Sequence, residues 1–393
     1  MWWWRSNLSK NLPLALGPHS PGCMDIMNDY AKDSTFIRLY YPSAFSKEQN
    51  DSSKWFRWTP DNKYVEGLAG LVNSWGNVIK LALWFYGGEF PTGEPLVPAM
   101  WEAEPLQSEK KFPVIIFSHG YGATRFLSST IAIELASRGF VVTSLEHRDS
   151  SPCTTYYYES PEAAENDKRT WIPHMALKFG PDHYKIRNEQ LKNRTNDVIK
   201  LLDFLELINK GEAKNILKSE LDLNIFKDRL DLSSISMMGH SFGGATSMLA
   251  MSQDDRLKCG VILDGWMFPI KEENLVIEKP LIFINTLTFH IESNLQVMEK
   301  YLKETDEIYT MKKTTHESQT DTPHILGYWL NWFMPKLDPV VGTNINNHMT
   351  LRFLHKHLGF PEDVSDSEKY LEENEPNFVK GTLLYARMPK RKL

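Results

Sequence analysis

The sequence predicts an α/β fold: a mostly parallel central sheet with helices on both faces. Three observations lead there. Short, continuously apolar segments rich in Ile, Val and Phe recur through the middle of the chain, as strands buried on both faces require. Longer segments with helical apolar spacing separate them. The composition is that of a globular chain with a large core: 41% of its 393 residues are hydrophobic and 24% are charged.

The elements follow in chain order. Residues 112–120, FPVIIFSHG, read as an apolar strand ending in a loop. Residues 124–138 read as a helix, with Phe126, Leu127, Ile131 and Leu135 on one face. FVVTSLEH is the next strand, and residues 184–207 form a long helix. A strand over 232–238 and a helix over 246–251 flank the motif GHSFGG. CGVILDG and PLIFINT are further strands, then a helix over about 292–303 and a last strand, IYTMKKT. In such sheets ligands bind beyond the C-terminal ends of the strands, so chemistry is expected there.

No linker, low-complexity block or repeat interrupts the chain, so one domain is expected over 1–393. Residues 1–16 are expected to be a loosely ordered N-terminal segment and 381–393 a tail. A net charge of −6 and a pI of about 6.1 argue against nucleic acid as a partner. Cys23, Cys153 and Cys259 form no disulfide framework, and no Cys/His spacing resembles a zinc site; no metal is expected. The apolar part of the first residues is too short for a signal peptide's core and Trp2 does not fit the N-myristoylation pattern, so neither is expected, and no run reaches membrane-span length. Asn7, Asn50 and Asn193 each begin a glycosylation sequon, which matters only in a secreted chain.

Ser241, between Gly239 and Gly243, has strand before it and helix after it. That is the context of a nucleophile elbow. A serine on so sharp a turn is strained, and the glycines remove collisions. The following helix turns its N-terminal amides towards the place where an oxyanion would form. An α/β-hydrolase orders its triad Ser, acid, His along the chain. Asp264 is the first acid after Ser241 to end a strand; Asp254 and Asp255 fall in a polar helix end. His316 follows the last strand, whereas His290 follows an earlier one and His324 lies inside a helix. The amides of Phe242 and of Tyr121, in the glycine-bracketed loop SHGYGATR, are the candidate oxyanion hole. Trp266 and Phe268 are candidate walls of the acyl pocket.

With these residues in place, the chain resembles the platelet-activating factor acetylhydrolases, serine-dependent phospholipases of the A2 type. The shared phrases include GPHSPGCMDIM, FIRLYYPS, FPVIIFSHGYGATR, SLEHRDSS, IRNEQL, GHSFGGAT, LDGWMFP, FINT and FLHKHLGF, spread over about residues 17–380. The resemblance places nucleophile, acid and base on Ser241, Asp264 and His316, and the oxyanion amides on Tyr121 and Phe242. It implies an α/β-hydrolase fold, no cofactor, and calcium-independent removal of an acetyl or other short or oxidised acyl group from the sn-2 position of a glycerophospholipid. Two positions depart from the family: Tyr121 stands where Leu is usual and Gly265 where Ala is usual. HESQTDT is closer to the intracellular type, which points to a cytoplasmic, peripherally membrane-associated enzyme, with secretion the alternative. A generic short-chain esterase or peptidase, or an inactive binding protein of this fold, are the competing functions; no triad member is missing.

Two further segments are unusually apolar. NVIKLALWFYGG contains Leu83 and Trp84, and HILGYWLNWF places Ile325, Tyr328, Trp329, Trp332 and Phe333 on one helical stripe. Trp and Tyr settle at membrane interfaces, and the resemblance puts the family's lipoprotein- or membrane-docking surface on these helices. Leu83, Trp84, Trp329, Trp332 and Phe333 are therefore the docking candidates.

Overall fold

The computed structural model of the chain describes residues 11–71, 95–177, 180–326 and 336–382. Among these, eleven strands form one sheet in the order β13-β12-β11-β10-β9-β5-β6-β2-β1-β4-β3, and β7 and β8 form a separate hairpin. The strands are β1 His19–Met27, β2 Phe36–Ser46, β3 Trp55–Arg57, β4 Leu96–Trp101, β5 Phe112–Ser118, β6 Val141–Leu145, β7 Thr154–Tyr157, β8 Thr170–Pro173, β9 Leu230–His240, β10 Leu257–Leu263, β11 Leu281–Thr286, β12 Glu307–Met311 and β13 Phe378–Lys380. From β6 through β5, β9, β10 and β11 to β12, neighbours are parallel. The β1–β2 and β2–β6 pairs are antiparallel, as are β3–β4 and β12–β13.

The apolar strands have two buried faces because consecutive side chains point opposite ways. Ile115, Phe117, Met238, Val261, Leu263, Ile282 and Ile284 belong to one core cluster, which also takes in helices Ser129–Ser137 and Pro339–Leu358. Val114, Ile116, Met237, Ile262, Leu281 and Phe283 belong to the other, with helices His183–Lys210 and Phe242–Gln253. This is the predicted sheet covered on both sides.

Some element boundaries differ from the sequence reading. The helix expected from residue 124 begins at Ser129. Asp321 accepts from the amides of Ser129 and Thr130 at 2.8 and 2.9 Å, and so fixes the helix start from 192 residues away. The helix after Ser241 begins at once, at Phe242, rather than at residue 246. The segment expected to be loose through residue 16 is packed over 11–16: Leu12 and Ala15 are buried, and the Leu12 amide donates to Leu96 O at 3.0 Å. Among the described residues no helix is long and apolar enough to cross a membrane.

Candidate active site

Ser241 stands at the C-terminal end of β9, in the middle of the sheet, with φ +57° and ψ −116°. The flanking glycines are sterically required. A Cβ on Gly239 would lie 2.1 Å from Gly243 O, and one on Gly243 would lie 1.9 Å from Ser118 O. The turn is braced by its neighbours: the Ser241 amide donates to Leu263 O at 2.9 Å, and Ser241 O accepts from Trp266 N at 2.7 Å.

Asp264 follows β10 and is fully buried. Its backbone takes a left-handed φ of +42°. The Thr286 amide donates to Oδ1 at 2.5 Å, and the Thr286 hydroxyl donates to Oδ2. Oδ2 also lies 3.0 Å from His316 Nδ1. A carboxylate accepts, so Nδ1 carries the proton and Nε2 is left with a free lone pair. Phe289 stacks on the imidazole, centroids 4.0 Å apart and planes 19° apart.

The structure thus brings Asp264 and His316 into direct contact across residues far apart in the chain. Among the described residues no hydrogen bond joins Ser241 to His316, and the two are linked through His240. The His240 ring lies 4.5 Å from that of His316, and its Nε2 donates to His316 O at 3.1 Å. Nucleophile and base are often loose before substrate tightens them. Burial, reinforced by His316, holds His240 well below the ordinary imidazole range, so no second cation competes beside the base.

The rival residues are engaged elsewhere. His324 is buried against Thr343 Oγ1 at 3.0 Å, and burial pushes its pKa down to about 4. His290 bridges Thr286 O and Thr310 Oγ1, each at 3.1 Å. Asp254 and Asp255 form surface pairs with Arg256 and Lys279.

The loop with Tyr121 runs against the elbow: a Cβ on Gly120 would lie 3.0 Å from Ser241 Cβ. Gly120 O accepts from His119 Nδ1 at 2.8 Å, and Arg194 Nη1 donates to His119 O at 2.6 Å. A trans peptide sets its N–H opposite its C=O, so anchoring Gly120 O also orients the Tyr121 N–H. Arg194 is fully buried, paired with Asp149 at 3.0 Å, and its guanidinium lies 4.4 Å from the Phe242 ring centroid. One buried cation therefore braces both segments that carry the candidate amides. Among the described residues, neither the Tyr121 nor the Phe242 amide donates to a protein acceptor.

Trp266 stacks on Phe268 with centroids 5.8 Å apart and contacts the ring of Phe242 at 5.4 Å. Leu83, Trp84, Trp329, Trp332 and Phe333 lie outside the described residues. Sequence reading missed His240, Thr286, Phe289 and Arg194. His240 alone carried a local signal, since it fills the first variable place of Gly-x-Ser-x-Gly. Among the described residues no group of three His, Cys, Asp or Glu side chains could hold a metal ion.

This arrangement can supply a nucleophile, a base oriented by a buried acid, and two free amides. The family model described as platelet-activating factor acetylhydrolase, isoform II, matches residues 5–378. The chain belongs to the platelet-activating factor acetylhydrolase family. Relatives named platelet-activating factor acetylhydrolase include that of Bos taurus, 37% identical over 94% of this chain and 82% of the relative. Another is that of Gallus gallus, 33% identical over 94% of this chain and 89% of the relative. Outside these, a ferulic acid esterase from Streptomyces cinnamoneus has the same fold at TM-score 0.58 and 18% identity, covering 96% of this chain and 100% of that one. The sheet order and this likeness are those of the α/β-hydrolase fold.

Proposed function

We propose that the chain hydrolyses the sn-2 acetyl, or another short or oxidised acyl group, of platelet-activating factor and related glycerophospholipids without calcium. The observation that carries the reading is the pairing of His316 with the buried Asp264, set beside the Ser241 elbow in a member of this ester-hydrolase family. His316 Nε2 takes the Ser241 proton while Oγ attacks the ester carbonyl. Asp264 keeps the imidazole in the right tautomer and stabilises its protonated form. The amides of Tyr121 and Phe242 hold the tetrahedral oxyanion. The C–O bond to the glycerol then breaks and His316 returns the proton to the leaving alkoxide. Water, deprotonated by His316, cleaves the acyl-enzyme to a free acid.

Membrane or lipoprotein contact through the two apolar segments, on a cytoplasmic and peripherally associated enzyme, completes this reading. It is supported by their Trp- and Tyr-rich stripes. The deciding experiment is hydrolysis of an sn-2 chain-length series with calcium chelated, in wild type and Ser241→Ala. The wild type should favour short chains, be labelled by an organophosphonate at Ser241, and lose several orders of magnitude in kcat on substitution. Labelling elsewhere, or an active Ala variant, sinks the triad.

A further inference from the structure

Tyr121 has a side chain as firmly held as its backbone. Its hydroxyl lies 2.6 Å from His174 Nε2, and His174 Nδ1 lies 2.9 Å from Pro152 O. A carbonyl only accepts, so Nδ1 carries the imidazole proton and the Tyr121 hydroxyl donates to Nε2. The Gly122 amide ties the same loop to Ser151 O at 2.8 Å. The Arg187 guanidinium sits 4.3 Å from the centroid of the Tyr121 ring. Arg187 is buried, 3% exposed, and among the described residues no carboxylate pairs with it. Its Nη1 donates to Gln190 Oε1 at 2.7 Å, and its charge faces the rings of Tyr121 and Trp266, the latter at 6.0 Å.

These rings form a wall that starts at the nucleophile. Trp266, whose amide holds Ser241 O, lies 6.3 Å from Tyr121 and continues into Phe268. The aromatic neighbours of His316 are different ones, Phe289 and His240. In the mechanism proposed above His316 returns its proton to the leaving alkoxide, which places the leaving group beside His316 Nε2 rather than among the rings around Tyr121. The acyl chain is then left to run along the Tyr121–Trp266 wall. An unpinned side chain could swing aside for a longer chain; a ring held by a hydrogen bond at its tip and a cation on its face cannot do so without breaking both.

Resting on the nucleophilic role of Ser241 proposed above, we infer that the Tyr121 side chain, positioned by His174 and Arg187, is a specificity-determining residue that shortens the acyl group accepted below what a smaller side chain there would allow. Where an apolar wall stops the acyl chain, each excess methylene costs about tenfold or more in kcat/KM. The test is kcat/KM for p-nitrophenyl esters from acetate to octanoate, with organophosphonate labelling of Ser241 run in parallel. Wild type should fall steeply with chain length. Tyr121→Leu should raise the octanoate-to-acetate ratio at least about tenfold. Tyr121→Phe and His174→Ala, which keep the ring but free its tip, should raise it severalfold.

An unchanged ratio in Tyr121→Leu with labelling intact overturns the inference, as does a wild type indifferent to length. If Tyr121→Leu loses labelling and all hydrolysis together, His174→Ala decides: a raised ratio supports the inference and an unchanged one overturns it. Failure of the wild type to label at Ser241 would strike the proposed nucleophile instead, and so is distinguishable.

Discussion

Asp264 accepts from the Thr286 amide and hydroxyl as well as from His316, so its orientation is fixed before any substrate arrives. Replacing it by Asn leaves the shape but puts an N–H donor where His316 needs an acceptor. Asp264→Asn should fold normally and lose on the order of 10⁴ in kcat, the cost of the wrong tautomer in such triads; a near-normal rate would move the acid elsewhere. Thr286→Val removes the hydroxyl and keeps the amide. It should cost about ten- to a hundredfold in kcat, the roughly 1.5–3 kcal/mol of one hydrogen bond to a charged group, with KM little changed. The places of Ser241, Asp264 and His316 as candidates could be read from the sequence because their order and their positions after strands are local facts. Thr286, Phe289 and Arg194 could not. Each earns its place through contacts between strands or across the sheet, and a threonine ending a strand looks like any other.

At the scale of elements, the parallel strands were legible because they are buried on both faces and uniformly apolar. The antiparallel part was not. β1, HSPGCMDIM, carries Pro and Gly, which weaken a strand signal, yet nearly every residue in it is buried. The burial is arranged around charge. Asp25 on β1 lies 2.7 Å from both Arg38 on β2 and Arg125 in the turn before the helix Ser129–Ser137. Burial alone would raise its carboxyl, but the guanidiniums of Arg125 and Arg38 outweigh that and hold it below the usual carboxylate range. A depressed folded pKa means that the stabilisation is complete above the unfolded value, about 4, and fades as pH falls below it. Asp25→Asn should therefore cost about 3–5 kcal/mol at pH 7, since buried Arg38 loses its carboxylate partner and buried Arg125 keeps only Glu146. Urea unfolding should show the gap to wild type narrowing below about pH 4; a constant gap would mean that packing, not charge, is lost. Arg125 also explains why the helix expected from residue 124 starts late. Its anchoring partners lie on β1 and next to β6, out of reach of any local propensity.

At the scale of the molecule, the apolar segments around Leu83 and Trp332 lead to a test that needs only the protein and lipid. Leu83→Asp and Trp332→Asp should weaken co-sedimentation with phosphatidylcholine vesicles and spare hydrolysis of a water-soluble short ester. Each large side chain moved into lipid contributes about 1.5–3 kcal/mol, so one charge placed there should lower binding at least tenfold. Loss of both properties together would make these segments part of the core.

The ends of the sheet have a consequence of a different kind. Among the described residues it finishes on each side in an antiparallel strand of three residues, Trp55–Arg57 and Phe378–Lys380. Each terminates in an exposed cation, Arg57 or Lys380. A long bare border would be a template on which a second chain could continue the ladder; these borders are too short and too charged to serve. On concentration, light scattering should show no growth of particle size from sheets joining at these two borders. Replacing Arg57 and Lys380 by Val would remove the guard, and such a variant should clump first where the wild type stays dispersed.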